Sequence, residues 1–232
     1  MNSYSETLVR LINDIYDKFL DTDFKNKTFV AAEKYEVLLE TIKKEIPNFQ
    51  KNADALWNDI RQSDDQRIAE FTQDSVVEWL NTMLKDVYSK LIKVIPASSF
   101  SANTNLDFDF DLDLIVIVRD LNSKILKNII KVFEDNDIYY VEERGIDLSQ
   151  RWMFNFQYQG FLIDISVRDE QNAKPTISTH HAIEQDTNEM KAIITYCKSL
   201  LHEEFPVEYK KFKALMYTAY AVRTGYDHFF QI

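Results

Sequence analysis

The sequence contains little cysteine, glycine or proline: its 232 residues include one Cys, three Gly and four Pro. The single cysteine, Cys197, excludes an internal disulfide framework and fits a reducing compartment. We expect this side chain to be a small buried residue of a helix. So few glycines and prolines also argue against long irregular linkers between the elements of the fold.

A long hydrophobic run is missing as well. No stretch approaches the roughly 18–20 apolar residues of a membrane span, and the segment MNSYSETLVR has no apolar signal core. We therefore expect a soluble, cytoplasmic protein with no membrane partner. Positive charge is scarce, because 27 Lys and Arg stand against 38 Asp and Glu, a net charge of −11. Since nucleic-acid backbones are bound by clustered Lys and Arg, this balance disfavours extended nucleic-acid binding.

The residue pattern changes twice along the chain. Apolar residues recur at helical spacing through the first part, where Asp74 is the expected N-cap of a helix. Short apolar runs bounded by turn residues follow from Lys93, and helical spacing returns after Thr187. This order predicts an α+β fold, in which a small mixed sheet is flanked by N-terminal and C-terminal helices. We place the helical regions at 1–73 and 171–232 and the core at 74–170.

Four aspartates alternate with apolar residues at the start of one predicted strand: Asp107, Asp109, Asp111 and Asp113. Residues two apart on a strand point to the same face, so these carboxylates share one side. Because like charges repel, the row favours a bound divalent cation, and hard oxygen ligands suit Mg²⁺ or Mn²⁺. A solvated edge strand would also explain the first two aspartates. A calcium loop is disfavoured because its glycine and distal glutamate are missing.

A lone carboxylate, Asp164, interrupts the second apolar strand of interest, 161–167, which a tight Gln159-Gly160 turn joins to a strand over 151–158. Burying an unpaired carboxylate costs free energy, so Asp164 should face a metal, a cation or a cleft. If its strand lies beside the strand that follows Asp113, three carboxylates meet. Such a site would hold two metal ions and serve phosphoryl transfer.

Together these motifs resemble those of the nucleotidyltransferase superfamily, which has a polymerase-β-like fold. The segment Ala97-Ser98-Ser99-Phe100 stands where that family has a Gly-Ser turn. The segment Asp111-Leu112-Asp113 resembles its Asp-x-Asp strand, and Asp164 its third carboxylate. The spacing of the residues before the aspartates looks most like the branch of cyclic oligonucleotide synthases and their innate-immune relatives.

The resemblance implies a role for each of these residues. Asp111, Asp113 and Asp164 would hold two Mg²⁺ or Mn²⁺ ions, with Asp109 as the alternate for one of the pair, and Asp164 would activate the acceptor hydroxyl. The phosphate groups would be held by Ser98 and Ser99, aided by the start of a following helix. A lysine of the tail, Lys198 or Lys213, would steady the triphosphate, although a solvated helix face also explains both lysines.

The activity implied is metal-dependent transfer of a nucleotidyl group from a nucleoside triphosphate such as ATP to a hydroxyl acceptor. The acceptor stays open among a nucleotide, an RNA end, a protein and a small molecule. Two positions depart from the family pattern, since Ser98 replaces the usual glycine and Asn103 stands where a second glycine is common. Asn tolerates a left-handed backbone, but serine limits how closely the chain approaches a phosphate. The alternative is therefore a catalytically degenerate member that serves as a partner-binding or regulatory module.

Overall fold

The middle of the chain forms a five-stranded sheet. The computed structural model describes residues 3–20, 27–87, 91–97, 99–106, 112–144 and 151–225. Within these ranges the chain forms eight helices and five strands. The helices are α1 Ser3–Leu20, α2 Lys27–Glu45, α3 Phe49–Gln62, α4 Asp64–Val87, α5 Ser123–Glu134, α6 Glu170–Glu184, α7 Asn188–Leu201 and α8 Pro206–Arg223. The strands are β1 Leu91–Pro96, β2 Leu112–Val118, β3 Tyr139–Arg144, β4 Arg151–Tyr158 and β5 Phe161–Asp169.

The sheet is mixed, with strand order β1-β2-β5-β4-β3. Strands β2 and β5 run parallel, whereas the pairs β1/β2, β3/β4 and β4/β5 are antiparallel. The two-residue turn between β4 and β5 has φ of 51° at Gln159 and 88° at Gly160. Positive φ at both central residues matches the twist of a hairpin, which explains the tight connection. The predicted α+β class with a small mixed sheet is confirmed.

One face of the sheet packs under α4 and α5. Alternate residues of β2 and β5 share this buried cluster with Val76 and Leu80 of α4 and Ile125 and Phe133 of α5. The buried strand residues on this face are Leu112, Leu114, Val116, Val118, Ile163, Ile165 and Val167. Burial of apolar side chains on this side holds the two parallel strands together and turns the intervening residues to the opposite face.

The opposite face is covered at one end by α6. Ile115 and Ile117 of β2 pack there with Ala97 and with Ala173 of α6. Beside them, buried Arg168 donates from Nε to Ser166 Oγ over 3.1 Å and from Nη1 to Thr176 Oγ1 over 2.7 Å. The name acidic face is used below for this side of β2, β5 and β4, defined by Asp113, Asp164 and the residues alternating with them.

One predicted element boundary is wrong. Asp74 lies in the interior of α4 and is no N-cap. The helix starts after Ser63, whose Oγ accepts a hydrogen bond of 3.1 Å from the backbone N–H of Gln66. The buried positions Ala69 and Val76 then continue one apolar face through the predicted boundary. Helix α6 lies within the predicted helical region 171–232, although its Pro175 and few apolar residues gave no local helix signal.

The chain contacts divide into two compact units. Unit 1 comprises 1–61 and 181–232, and unit 2 comprises 62–180. In unit 1, α2 packs on α8 through Tyr35 and Phe212, whose ring centroids lie 6.1 Å apart. Cys197 is buried in α7, as predicted. Unit 2 contains the sheet. Compactness alone does not decide which parts fold independently, so the division into three regions at 73 and 170 stays a prediction.

Candidate functional site

Two carboxylates lie side by side on the acidic face. Asp113 of β2 and Asp164 of β5 are direct Cα partners in the parallel pair. Neighbouring strands lie about 4.7–4.9 Å apart, so partners on one face place their side chains next to each other. Both aspartates are partly buried. The sequence-based condition that their strands be neighbours is therefore met.

The orientation of Asp164 follows from the residues around it. Ile163 and Ile165 are both fully buried in the cluster beneath α4 and α5. Asp164 therefore points to the acidic face, on the side shared with Leu162 and Ser166, as the alternation predicted. Since Leu162 is 42% exposed and Ser166 is buried, Asp164 lies where the face passes from covered to open.

A short loop begins beside Asp113. The backbone N–H of Ala97 donates to the carbonyl oxygen of Asp113 over 2.9 Å, which fixes the start of this loop next to the carboxylate pair. The loop closes on itself, because the carbonyl oxygen of Ser99 accepts from the backbone N–H of Thr104 over 2.8 Å and from Thr104 Oγ1 over 3.3 Å. Asn103 has a φ of 57°, the left-handed conformation that asparagine tolerates.

This loop differs from the expectation in one respect. Residues 99–103 form turns and 104–106 have no regular structure, so no helix starts within 99–106. The closing hydrogen bonds to the Ser99 carbonyl hold the segment in a compact turn instead. Ser99 itself is partly exposed and lies two residues beyond Ala97. Within this described loop, Ser99 can offer a phosphate its own hydroxyl and backbone amide.

Several predicted residues lie outside the described part of the chain. These are Asp107, Asp109 and Asp111 of the alternating row, and Ser98. Among the residues that the structure does describe, no group of three or more His, Cys, Asp or Glu side chains is placed to hold a metal ion. The described donor set is the pair Asp113 and Asp164, whose hard oxygen atoms have the chemistry that Mg²⁺ and Mn²⁺ prefer.

The two candidate lysines belong to unit 1, whereas the carboxylate pair belongs to unit 2. Lys198 of α7 is 1% exposed, so a solvated helix face does not describe it. Lys213 of α8 is partly buried, and its Nζ lies 5.2 Å from the ring centroid of Tyr209. A contact of either lysine with a triphosphate stays a prediction.

Sequence analysis missed one polar residue of the acidic face. Asn155 of β4 is the Cα partner of Asp164 in the antiparallel pair. Its position follows from the hairpin: counting back from the partners Tyr158 and Phe161 beside the turn places Asn155 opposite Asp164. The signal was therefore present in the two-residue turn, which fixes strand register.

No protein-family description matches the chain. No curated protein sequence matches it either. Among the described residues, no helix is both long enough and apolar enough to cross a membrane.

One solved structure with a similar fold is that of the Cid1 poly(U) polymerase with MgGTP bound. The two chains are 15% identical, with a TM-score of 0.44. The match covers 60% of this chain and 42% of the polymerase, so it spans under half of the polymerase's length. A likeness at this level assigns no residue role, substrate or activity, and what it establishes is that this chain is similar in part to the fold of a poly(U) polymerase.

Proposed function

We propose that the protein transfers a nucleotidyl group from a nucleoside triphosphate to a hydroxyl acceptor, with Asp113 and Asp164 at the centre of the site. The observation that carries this proposal is their direct pairing on adjacent parallel strands. Two partly buried carboxylates at that spacing repel each other unless a cation lies between or beside them. The pattern Asp111-Leu112-Asp113 supplies a further carboxylate next to the pair in sequence.

Asp111, Asp113 and Asp164 would hold Mg²⁺ or Mn²⁺. When bound, the metal would lower the pKa of the attacking hydroxyl and screen the charge of the triphosphate. The residues of the chain would do the rest. Asp164 accepts the proton of the acceptor hydroxyl, whose oxygen forms a bond to the α-phosphorus. The bond from that phosphorus to the oxygen bridging to the β-phosphorus breaks, and pyrophosphate leaves.

The loop after β1 supports a phosphate-binding role for Ser99. Its start is attached to the Asp113 carbonyl through Ala97, and Ser99 follows two residues later in the chain. A hydroxyl and a backbone N–H can both donate to phosphate oxygens. Ser98 stands where the family that the sequence resembles has a glycine. Release of pyrophosphate in the test below would show that the site is active with serine at this position.

The test uses the four ribonucleoside triphosphates, labelled at the α-phosphate, with Mg²⁺ or Mn²⁺. We expect pyrophosphate release with at least one of them and its loss in Asp111→Ala, Asp113→Asn and Asp164→Asn. Asp74→Asn is the matched control, because this carboxylate is exposed on α4 of the same unit. Mn²⁺ binding measured by calorimetry gives a second readout, which should weaken in the three site variants and not in the control.

A second function has one observation in its favour. Ile68 and Phe71 lie one turn apart on α4 and are 51% and 67% exposed. Exposed apolar side chains at neighbouring positions are typical of partner-binding surfaces. A catalytically degenerate protein that binds a partner would release no pyrophosphate with any nucleotide and would bind no Mn²⁺ at the carboxylate pair. The same experiment therefore separates the two functions.

A further inference from the structure

Three polar side chains form a row across the acidic face. Asp164 on β5 has Asp113 of β2 as its partner on one side and Asn155 of β4 on the other. All three are partly buried, so each is reachable from the open part of the face. Strand spacing is about the same on both sides of a strand, so Asn155 lies about as close to Asp164 as Asp113 does.

Asn155 is an unusual residue for its position. Its neighbours Phe154 and Phe156 are buried in the core beneath the opposite face, and asparagine is depleted from strands. A carboxamide donates two hydrogen bonds and accepts others without adding charge. Beside a pair of carboxylates, it can therefore contact a substrate without increasing the repulsion between the acidic groups.

The hairpin residues between Asn155 and the turn are uncharged. Gln157 and Leu162 are Cα partners on the same face, nearer the turn, and both are exposed. The sequence from Asn155 to Leu162 contains no Lys or Arg. Phosphate groups are bound mainly by positive side chains and backbone N–H groups, whereas carboxamides and an aliphatic side chain suit the edge and face of a base or a sugar.

The pairing register of β4 with β5, which sets the position of Asn155, is fixed by the turn that joins these strands. The turn at Gln159 and Gly160 admits two residues in a left-handed conformation, which fixes the pairing of β4 with β5. Thr72 Oγ1 of α4 also donates to Gln159 Oε1 over 3.2 Å. Asn155 is therefore held opposite Asp164 by the hairpin and by a contact from the neighbouring helix.

We propose that Asn155 binds the acceptor, and that the acceptor presents the sugar or base of a nucleoside to Asn155, Gln157 and Leu162. The inference rests on the proposed function, in which Ser99, in the loop attached to Asp113, binds phosphate and Asp164 takes the proton of the acceptor hydroxyl. The strand order β2-β5-β4 then puts Asn155 on the side of Asp164 away from Asp113. In this arrangement the acceptor hydroxyl lies between Asp164 and Asn155, and the rest of the nucleoside extends over β4.

The experiment measures transfer from a labelled nucleoside triphosphate to the four ribonucleosides as acceptor probes. Asn155→Ala should raise the acceptor KM about tenfold, because one hydrogen bond to the acceptor is lost. The triphosphate KM and Mn²⁺ binding should change less than about twofold. Asn155→Asp keeps the side-chain shape and removes the N–H donor, so it should raise the acceptor KM at least as much. Asn128→Ala, at an exposed position on α5, is the control and should change neither KM.

Each outcome decides the inference. A rise in the acceptor KM alone supports it. An unchanged acceptor KM in both Asn155 variants overturns it, and so does a rise confined to the triphosphate KM. Transfer of label only to the protein itself, with no ribonucleoside accepting, overturns the inference but leaves the proposed nucleotidyl transfer standing. Pyrophosphate release from no triphosphate overturns both.

Discussion

Asp113 and Asp164 face the same side of the sheet as direct partners in the parallel pair β2/β5. Neither position is needed for the apolar core, because the residues that alternate with them supply the buried cluster on the other face. Two like charges directly opposite each other on a sheet destabilise the fold. A divalent cation held by both carboxylates would offset this repulsion, and its effect on stability can be measured without any assay of activity.

Asp164→Asn should remove the response of the protein's melting temperature to metal, because a neutral amide replaces one of the two carboxylates that would hold the ion. Saturating Mn²⁺ should raise the melting temperature of the wild type and leave that of the variant almost unchanged. Thermal unfolding followed by circular dichroism measures both effects.

Asp74→Asn again provides the control for this comparison. It removes one negative charge from an exposed position of α4, so it accounts for the general effect of net charge. We expect it to respond to Mn²⁺ as the wild type does. Equal stabilisation of the wild type and Asp164→Asn by Mn²⁺ would contradict a metal site at this pair.

Tyr220 should contribute to stability through a single hydrogen bond. Its side chain is 1% exposed in α8, and its hydroxyl donates to Asp186 Oδ2 over 2.5 Å. Asp186 Oδ2 also lies 3.6 Å from Arg223 Nη1. The phenylalanine variant keeps this ion pair but removes the hydroxyl that donates to the carboxylate. We expect Tyr220→Phe to lower the free energy of unfolding by about 1.5–3 kcal/mol, which is typical of a hydrogen bond to a charged group. Urea unfolding at neutral pH measures it.

Tyr35 offers a matched comparison in the same unit. It is fully buried and packs against Tyr220, with ring centroids 6.4 Å apart. Its hydroxyl has no hydrogen-bond partner within the described part of the chain. Removing an unsatisfied buried hydroxyl is neutral or stabilising, so Tyr35→Phe should be at least as stable as the wild type. A loss as large as that of Tyr220→Phe would contradict the assignment of the Tyr220 effect to its hydrogen bond with Asp186.

Stability should fall in alkaline solution because of the same two tyrosines. Burial raises the pKa of Tyr35 and of Tyr220, and for Tyr220 the hydrogen bond to Asp186 raises it further. The unfolded chain releases these protons near pH 10, while the folded chain retains them to higher pH. The folded state therefore loses stability as pH rises above about 10, by up to about 1.4 kcal/mol per pH unit for each group.

The variants Tyr35→Phe and Tyr220→Phe separate this effect from general alkaline unfolding. Each removes one group with a raised pKa, so its free energy of unfolding should decline less steeply above about pH 10 than that of the wild type. Urea titrations at several pH values measure the slopes. Identical slopes in all three proteins would show that these tyrosines do not cause the decline.

Gly160→Ala tests the turn that fixes the hairpin register. A Cβ at this position meets no atom within 4 Å, so space is available, but φ is 88°. The cost is then one of backbone conformation alone, about 1–2 kcal/mol. Gly160→Asn is the comparison, since asparagine adopts left-handed conformations more readily, and it should retain more stability. Chemical unfolding of the two variants measures the difference.

Local sequence patterns were enough to locate most elements of unit 2. Alternation of apolar and polar residues placed β4 and β5, and the Gln159-Gly160 turn marked their connection. Local patterns failed where long-range packing decides the outcome. Helix α6 contains Pro175 and few apolar residues, so local patterns gave only the coarse helical region 171–232, whereas in the fold Ala173 of this helix packs against β2. The start of α4 was misplaced because Asp74 resembles a cap, although the apolar face continues through it.

The sequence by itself determined which face each strand residue takes, because successive side chains of a strand alternate between faces. It therefore placed Asp113 and Asp164 away from the core, and the two-residue turn places Asn155 opposite Asp164. Only the tertiary structure decided that β2 lies beside β5. These strands are more than forty residues apart in the chain, and no local signal fixes the register of a parallel pair. Burial of both strands beneath α4 and α5 brings the two carboxylates together.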